Sequence, residues 1–266
     1  MDDNQELLYK KENGIASIIM NRPEKRNALS PGLFQGIFTS VEDAASDDEI
    51  KVIIITGKGE AFCSGADVKS MAAGELQRRS ERPPEQSENT RRAPFARQFR
   101  ECPKPIIAAL NGIAVGVGLD LALSCDIRIA SEKARFTVGY VRRGMVPAAG
   151  SAWFLPRLLG MDKALKVIWT SEMISAEEAE QLGLVTMVVP HDELEIVALD
   201  LAEQIAKAPT LAVQAAKRAV YESLNLDLEK SLELTMQIRQ GLLGTQDFKE
   251  SATAFVEKRE PTFKGE

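Results

Sequence analysis

Residues 104–150 read KPIIAALNGIAVGVGLDLALSCDIRIASEKARFTVGYVRRGMVPAAG. A short apolar run, Ile106 to Leu110, lies between a proline and Asn111-Gly112, the profile of a buried strand that ends in a turn. Gly112, Gly116 and Gly118 lead into the apolar, helix-favouring Leu119-Asp120-Leu121-Ala122-Leu123. That pattern predicts a glycine-lined loop feeding the N-terminus of a buried helix. The first amides of a helix lack intrahelical acceptors and carry partial positive charge, so they can receive a negative oxygen. Asp120 is the only acid in this apolar stretch. Amide donors beside a carboxylate suit proton transfer at a carbon whose neighbouring carbonyl becomes an oxyanion.

On helical periodicity Asp120 faces Ser124 among leucines. A carboxylate so placed is solvated at a pocket edge, paired with an arginine, or titrates above its ordinary range. The plain alternative is a first-turn acid favoured by the helix dipole. Gly116-Val117-Gly118 is not a dinucleotide fingerprint, because no third glycine follows at the required spacing, and no Lys-Ser/Thr pair makes a phosphate loop.

Outward from this centre, the alternation in residues 7–20 around Glu12-Asn13-Gly14 predicts a β-hairpin. Ser30-Pro31 supplies a cap and first-turn proline for a helix to about Ala45, and residues 50–56 form a buried strand. Residues 61–69, AFCSGADVK, read as a small-residue turn entering another helix. Residues 74–101 are charged, proline-containing and poor in aliphatics, which predicts a mobile flap followed by a helix from about Asn89. Beyond residue 150 come two helices split by Gly160-Met161, a cap at Ser175-Ala176-Glu177-Glu178 and a late strand at 185–189. Amphipathic helices follow at about 193–207, 210–223, 227–243 and 246–258.

The chain has 266 residues, 44% hydrophobic and 27% charged, enough for a full core. A net charge of −6 argues against a nucleic-acid-binding surface, though a local basic patch still serves a phosphorylated ligand. Arg22, Lys25, Arg26, Lys58 and Lys69 cluster near glycine-rich turns at strand ends, where open sheets bind ligands; scattered surface cations are the plain reading. The N-terminus carries no apolar signal region and no run is long enough to span a membrane, so a cytoplasmic protein without membrane contact is expected. Cys63, Cys102 and Cys125 lack metal-type spacing and read as buried free thiols. The single histidine, His191, sits between a strand and a helix, which removes a Ser-His-Asp triad and argues against a histidine-based metal site. Acid–base chemistry then falls to carboxylates, tyrosine, lysine, cysteine or water.

From about Leu8 onward the chain resembles the enoyl-CoA hydratase/isomerase (crotonase) superfamily. The matching blocks are Asn21-Arg22-Pro23 with Lys25-Arg26-Asn27-Ala28-Leu29, residues 61–69, Lys104-Pro105 through Asn111-Gly112, and residues 116–122. They continue with Cys125-Asp126-Ile127, Ser175-Ala176-Glu177-Glu178-Ala179, Leu182-Gly183-Leu184-Val185 and the tail 254–259. The resemblance implies an α/β fold: a spiral of ββα units forming two roughly perpendicular sheets, with a C-terminal helical region. It divides the chain into a core at 1–195 carrying the acyl-CoA site and an oligomerisation region at 196–266, building trimers or dimers of trimers. It implies a coenzyme A thioester as substrate, no separate cofactor and no metal.

By the same resemblance the backbone amides of Ala66 and Val117 bind the thioester oxygen, Val117 standing where the family usually has glycine. Lys25, Arg26, Ala28, Ser64, Ala66, Asp67, Val68 and Lys69 hold the coenzyme, and Phe255 and Lys258 match tail residues that complete its site. A typical hydratase has glutamates at the positions of Asp120 and Tyr140. Aspartate at the first is similar to the dienoyl-CoA isomerase branch, whose further acids fall at Tyr140 and Ala148. The expectation is that Asp120 is the main general acid or base, with Tyr140 donating a hydrogen bond or proton, or serving as a pocket wall. Arg142 and Arg143 tune either residue or solvate the rim. Hydration of a 2-enoyl-CoA leads. The alternatives are double-bond isomerisation, another enolate reaction such as decarboxylation or thioester hydrolysis, and non-catalytic acyl-CoA binding.

Overall fold

Asn13 and Gly14, at φ of 52° and 78°, turn the chain tightly between β1 (Leu7–Glu12) and β2 (Ile15–Met20). The two strands pair antiparallel from Glu12↔Ile15 to Leu7↔Met20, the hairpin that the alternation predicts. The computed structural model describes residues 5–66 and 94–266. A short 3-10 turn at Pro23–Lys25 leads to α1 (Pro31–Ser46), where the Ser30 side chain accepts from Leu33 N at 3.0 Å. Leu33, Ile37, Val41 and Ala44 form the buried face of α1, at helical spacing.

Next come β3 (Val52–Gly57), β4 (Ala61–Cys63), α2 (Pro94–Glu101), β5 (Ile106–Leu110), β6 (Ile113–Val115) and α3 (Val117–Ser124). The helix expected after Cys63 and most of the expected flap lie outside the described residues. The glycine loop expected at 112–118 contains the short strand β6: three residues suffice because β6 pairs with β4 and with the next short strand. The chain continues through β7 (Ile127–Ser131), β8 (Arg135–Thr137), α4 (Ser151–Leu159), α5 (Met161–Thr170), β9 (Ile174–Ser175), α6 (Ala176–Gln181) and β10 (Met187–Val189). The last helices are α7 (Leu194–Ala206), α8 (Thr210–Ser223), α9 (Leu228–Leu242) and α10 (Gln246–Glu257).

Two sheets result, a six-stranded one ordered β1-β2-β3-β5-β7-β10 and a four-stranded one ordered β4-β6-β8-β9. Consecutive strands alternate between them: β3, β5 and β7 enter the large sheet, and β4, β6 and β8 the small one. Each pair therefore advances one step along both sheets, which is the expected spiral. From β2 onward neighbouring strands of the large sheet are parallel. Such strands are covered on both faces and need continuous apolar runs, as β3 (VIIITG) and β5 (IIAAL) supply. One face packs against α1, α3 and the small sheet; α7 covers the other with Leu194, Ala198 and Ala202 on Val52, Ile54, Ile107 and Ile129. Thus α7, which crosses the expected 195/196 boundary, lies on the core sheet.

Beyond it, α8 and α9 pack on each other and bury no residue completely within one chain. What fastens α8 to the core is polar. Lys217 Nζ donates to Asp126 Oδ2 at 2.7 Å and to the carbonyls of Phe99 and Lys104 at 3.0 and 2.9 Å, while Tyr221 Oη donates to Asp126 Oδ1 at 2.8 Å.

Candidate active site

The site begins where the chain leaves β6. Gly116, at φ 55°, turns it into α3, whose first backbone bond runs from Asp120 N to Gly116 O at 3.0 Å. The amides of Val117, Gly118 and Leu119 precede that bond and have no intrahelical acceptor. Gly118 sets the distance to the neighbouring turn: a Cβ there would stand 2.3 Å from Cys63 O. Only a residue without a side chain lets the strand end at Cys63 lie against the helix start. The turn is held by Ser64 N→Arg26 O at 2.9 Å, Leu29 N→Gly65 O at 2.8 Å and a parallel bridge between Leu29 and Ala66. A Cβ on Gly65 would stand 3.8 Å from Val117 N, so the Ala66 turn and the start of α3 adjoin. Among the described residues neither the Ala66 nor the Val117 amide has a backbone acceptor.

One helical turn after Val117, Asp120 is 1% exposed. Its Oδ1 accepts from Ser151 N at 2.6 Å and from Ser151 Oγ at 2.5 Å. Its Oδ2 accepts from Tyr140 Oη in a very short contact. Burial lifts the Asp120 carboxyl above its usual range, and the Ser151 and Tyr140 donors oppose that rise. Of the three environments open to this acid, the structure selects burial with a raised titration. Ser124, expected to face it, instead donates its hydroxyl to the Asp120 backbone carbonyl at 2.7 Å.

Tyr140 follows β8 and is half-buried. Burial and the adjacent carboxylate push its hydroxyl far above the ordinary tyrosine range, so it is neutral at any physiological pH. The Cys63 thiol on the same side is fully buried and pushed up to about 12, which leaves it unreactive. Arg142 and Arg143 are exposed and donate to the carbonyls of Thr170 and Gly139 at 3.1 and 3.2 Å, on the rim.

The structure thus brings Ala66, Val117, Asp120 and Tyr140 around one helix start. Lys25, Arg26 and Ala28 lie in the loop stitched to the Ala66 turn, of which Ser64 is part, with Lys25 and Arg26 exposed. Arg22, by contrast, is tied to Glu6 at 2.9 Å and to the Ala28 carbonyl, a structural role. Asp67, Val68 and Lys69 lie outside the described residues. Phe255 is 86% exposed on α10 and Lys258 follows as its left-handed cap residue. His191 binds Ser131 Oγ through Nδ1 at 2.9 Å, away from the site.

Two residues escaped the sequence reading. Asn27, fully buried at φ 54°, accepts from Arg22 N and donates to Ala61 O at 2.7 Å, clasping the basic loop to β4. Asparagine's tolerance of positive φ is the only local signal for it. Ser151 is the other, and nothing local marks a serine that starts one helix and binds an acid on another. Beside it, a cavity of about 1350 Å³ lies between α2, residues 147–154, α8 and α9, with Arg100, Ala148, Gly150, Trp153 and Tyr221 in its wall. Among the described residues no group of His, Cys, Asp and Glu is arranged to hold a metal, and no helix is long and apolar enough to cross a membrane.

Residues 10–266 match the family model described as enoyl-CoA hydratase/isomerase. The chain is 37% identical to the 2,3-dehydroadipyl-CoA hydratase of Escherichia coli, over 98% of this chain and 99% of that protein. It is 30% identical to the 1,2-epoxyphenylacetyl-CoA isomerase of the same organism, over 97% and 98%. A crystal structure of an enoyl-CoA hydratase from Bacillus anthracis superposes with a TM-score of 0.87 at 35% identity, covering 98% of this chain and all of that one.

Proposed function

The chain belongs to the enoyl-CoA hydratase/isomerase family, and we propose that it adds water across the double bond of a 2-enoyl-CoA thioester. The observation that carries this reading is the Asp120–Tyr140 pair beside two amides that have no backbone acceptor among the described residues. Hydration needs both parts: an acid–base group to take a proton from water and return it to carbon, and donors for the negative charge that forms on the thioester oxygen. The Ala66 and Val117 amides serve as those donors, each worth about 3 kcal/mol to the transition state. Val117 keeps the amide that glycine usually supplies at this position in the family. The coenzyme lies along Lys25, Arg26, Ala28, Ser64 and Ala66, continuing onto Asp67, Val68 and Lys69, and Phe255 and Lys258 complete its site. A soluble cytoplasmic enzyme, assembled as a homotrimer or dimer of trimers through its C-terminal helical region, belongs to the same reading.

The test is crotonyl-CoA and a series of longer and branched 2-enoyl-CoA thioesters, following loss of the conjugated absorbance and identifying products by mass. Hydration predicts a gain of one water. Absence of turnover on the whole series overturns the reading. Double-bond isomerisation is the second reading, favoured by a single carboxylate, Asp120, bound to Tyr140. A 3-enoyl-CoA that gains conjugated absorbance without gaining water would establish it.

A further inference from the structure

We propose that Tyr140 is the group that exchanges a proton with the substrate, that Asp120 stores that proton behind it, and that Ser151 is the positioning residue that holds Asp120 for this task. The proposal rests on the hydration reading and divides the labour within it. Three observations carry it. Asp120 and Ser151 are 1% and 0% exposed, whereas Tyr140 is half-buried, so of the three only the tyrosine keeps part of its surface open. Both Asp120 oxygens already have donors: Oδ1 takes the amide and hydroxyl of Ser151, and Oδ2 takes the Tyr140 hydroxyl. Ser151 opens α4, and no side chain from its own N-cap residue, Gly150, satisfies that terminus; the carboxylate of α3 does so from across the interface.

The Tyr140 hydroxyl has one proton, given to Asp120, and its free lone pairs remain for a water. As the water oxygen bonds to C3 of the enoyl group, one water O–H bond breaks and that proton joins the Tyr140 oxygen. The tyrosine's own proton passes to Asp120 Oδ2, and the C2–C3 π pair moves to the thioester oxygen beside the Ala66 and Val117 amides. The enolate then collapses, C2 takes a proton from Tyr140, and Asp120 returns its proton to the tyrosine. The net change is one H and one OH added, with the pair restored.

The elements that pack most closely on α3 are α2, α4, β4 and β6; their titratable or charged side chains are Arg97, Arg100 and Glu101 on α2, Arg157 on α4 and Cys63 on β4, and Tyr140 reaches Asp120 from beyond β8. Arg97 is paired with Glu101 at 2.8 Å, Arg100 binds the Tyr221 carbonyl at 2.7 Å, and Arg157 lies 4.0 Å from the Trp153 ring centre. Cys63 stays a neutral thiol. Among them Tyr140 alone is hydrogen-bonded to the Asp120 carboxylate.

Below its own pKa Asp120 is protonated and cannot receive a proton, so kcat/KM falls on the acid side through that value. Ser151→Ala removes one donor to the ionised form and lifts the value. The experiment measures kcat/KM against pH on crotonyl-CoA for wild type, Ser151→Ala, Ser151→Thr and Tyr140→Phe. For Ser151→Ala the acid limb moves to higher pH and neutral kcat drops about tenfold, the effect of one lost hydrogen bond to a charged group. KM stays within about twofold, and Ser151→Thr restores the limb. Tyr140→Phe, at a half-buried position, loses about a thousandfold in kcat with KM kept. An acid limb unmoved in Ser151→Ala removes the positioning role. Tyr140→Phe within a few-fold of wild type removes the relay while leaving hydration intact. A wild-type protein inactive on every enoyl thioester overturns the hydration reading and the relay together.

Discussion

Lys217 Nζ and Asp126 Oδ2 lie 2.7 Å apart with side chains only 8% and 16% exposed, joining α8 to the residue that precedes β7 across 91 residues of sequence. The same carboxylate oxygen accepts from Ile106 N at 2.7 Å, so this ion pair couples the C-terminal helices directly to a central strand. Removing one partner strands a buried charge, whereas removing both does not. Lys217→Met is expected to destabilise the fold by about 3 kcal/mol, read as a lowered urea midpoint. Adding Asp126→Asn should recover part of the loss. Equal, additive losses in the single and double variants would show that the pair is not coupled.

Asp120→Asn preserves shape and removes the charge. The amide oxygen still accepts from Ser151, but the amide nitrogen donates to Tyr140 and reverses that hydrogen bond. Expected is a fall of about a thousandfold in kcat with KM changed little. Stability responds in its own way. Burial holds the Asp120 pKa above its unfolded value of about 3.9. Between those two values the native protein retains a proton that the unfolded chain has released, so stability falls as pH rises through the window. The variant should flatten that slope in a series of thermal melts; an unchanged slope assigns it to other groups.

Gly118→Ala tests the close approach that aligns the two amides. Its Cβ would meet Cys63 O at 2.3 Å and Cys63 Cβ at 2.8 Å, so α3 or β4 must move. Overpacking of this kind costs about 1–3 kcal/mol. A displacement of one amide by about 1 Å lowers kcat by about a hundredfold. A variant with wild-type kcat would show that the spacing of these turns does not matter to the chemistry.

On α8 and α9, Val220, Leu228, Leu232 and Met236 are 63%, 69%, 56% and 53% exposed in the single chain. Exposed apolar side chains, three of them at four-residue spacing along α9, favour association. Light scattering is expected to return three or six times the chain mass of 29.2 kDa, and Leu232→Glu with Met236→Glu to reduce it. A monomer at micromolar concentration would count against the assembly.

The sequence alone was sufficient wherever the determinant is local. Apolar runs and glycine–asparagine punctuation placed β1, β2, β3 and β5, and the serine caps at Ser30 and Ser175 placed the starts of α1 and α6 to the residue. The acid in an apolar helix after a glycine-rich turn singled out Asp120, and the blocks shared with the family pointed to Tyr140. Beyond that reach lay β6, whose three residues form a strand only because two neighbours pair with them. So did the partnership of Asp120 with Ser151, 31 residues away, and of Asp126 with Lys217. Those contacts depend on how rigid helices and sheets dock, a property of the whole core's packing that no propensity or spacing along the chain encodes. Local chemistry named the acid, and tertiary docking decided which side chains surround it and which of them faces outward.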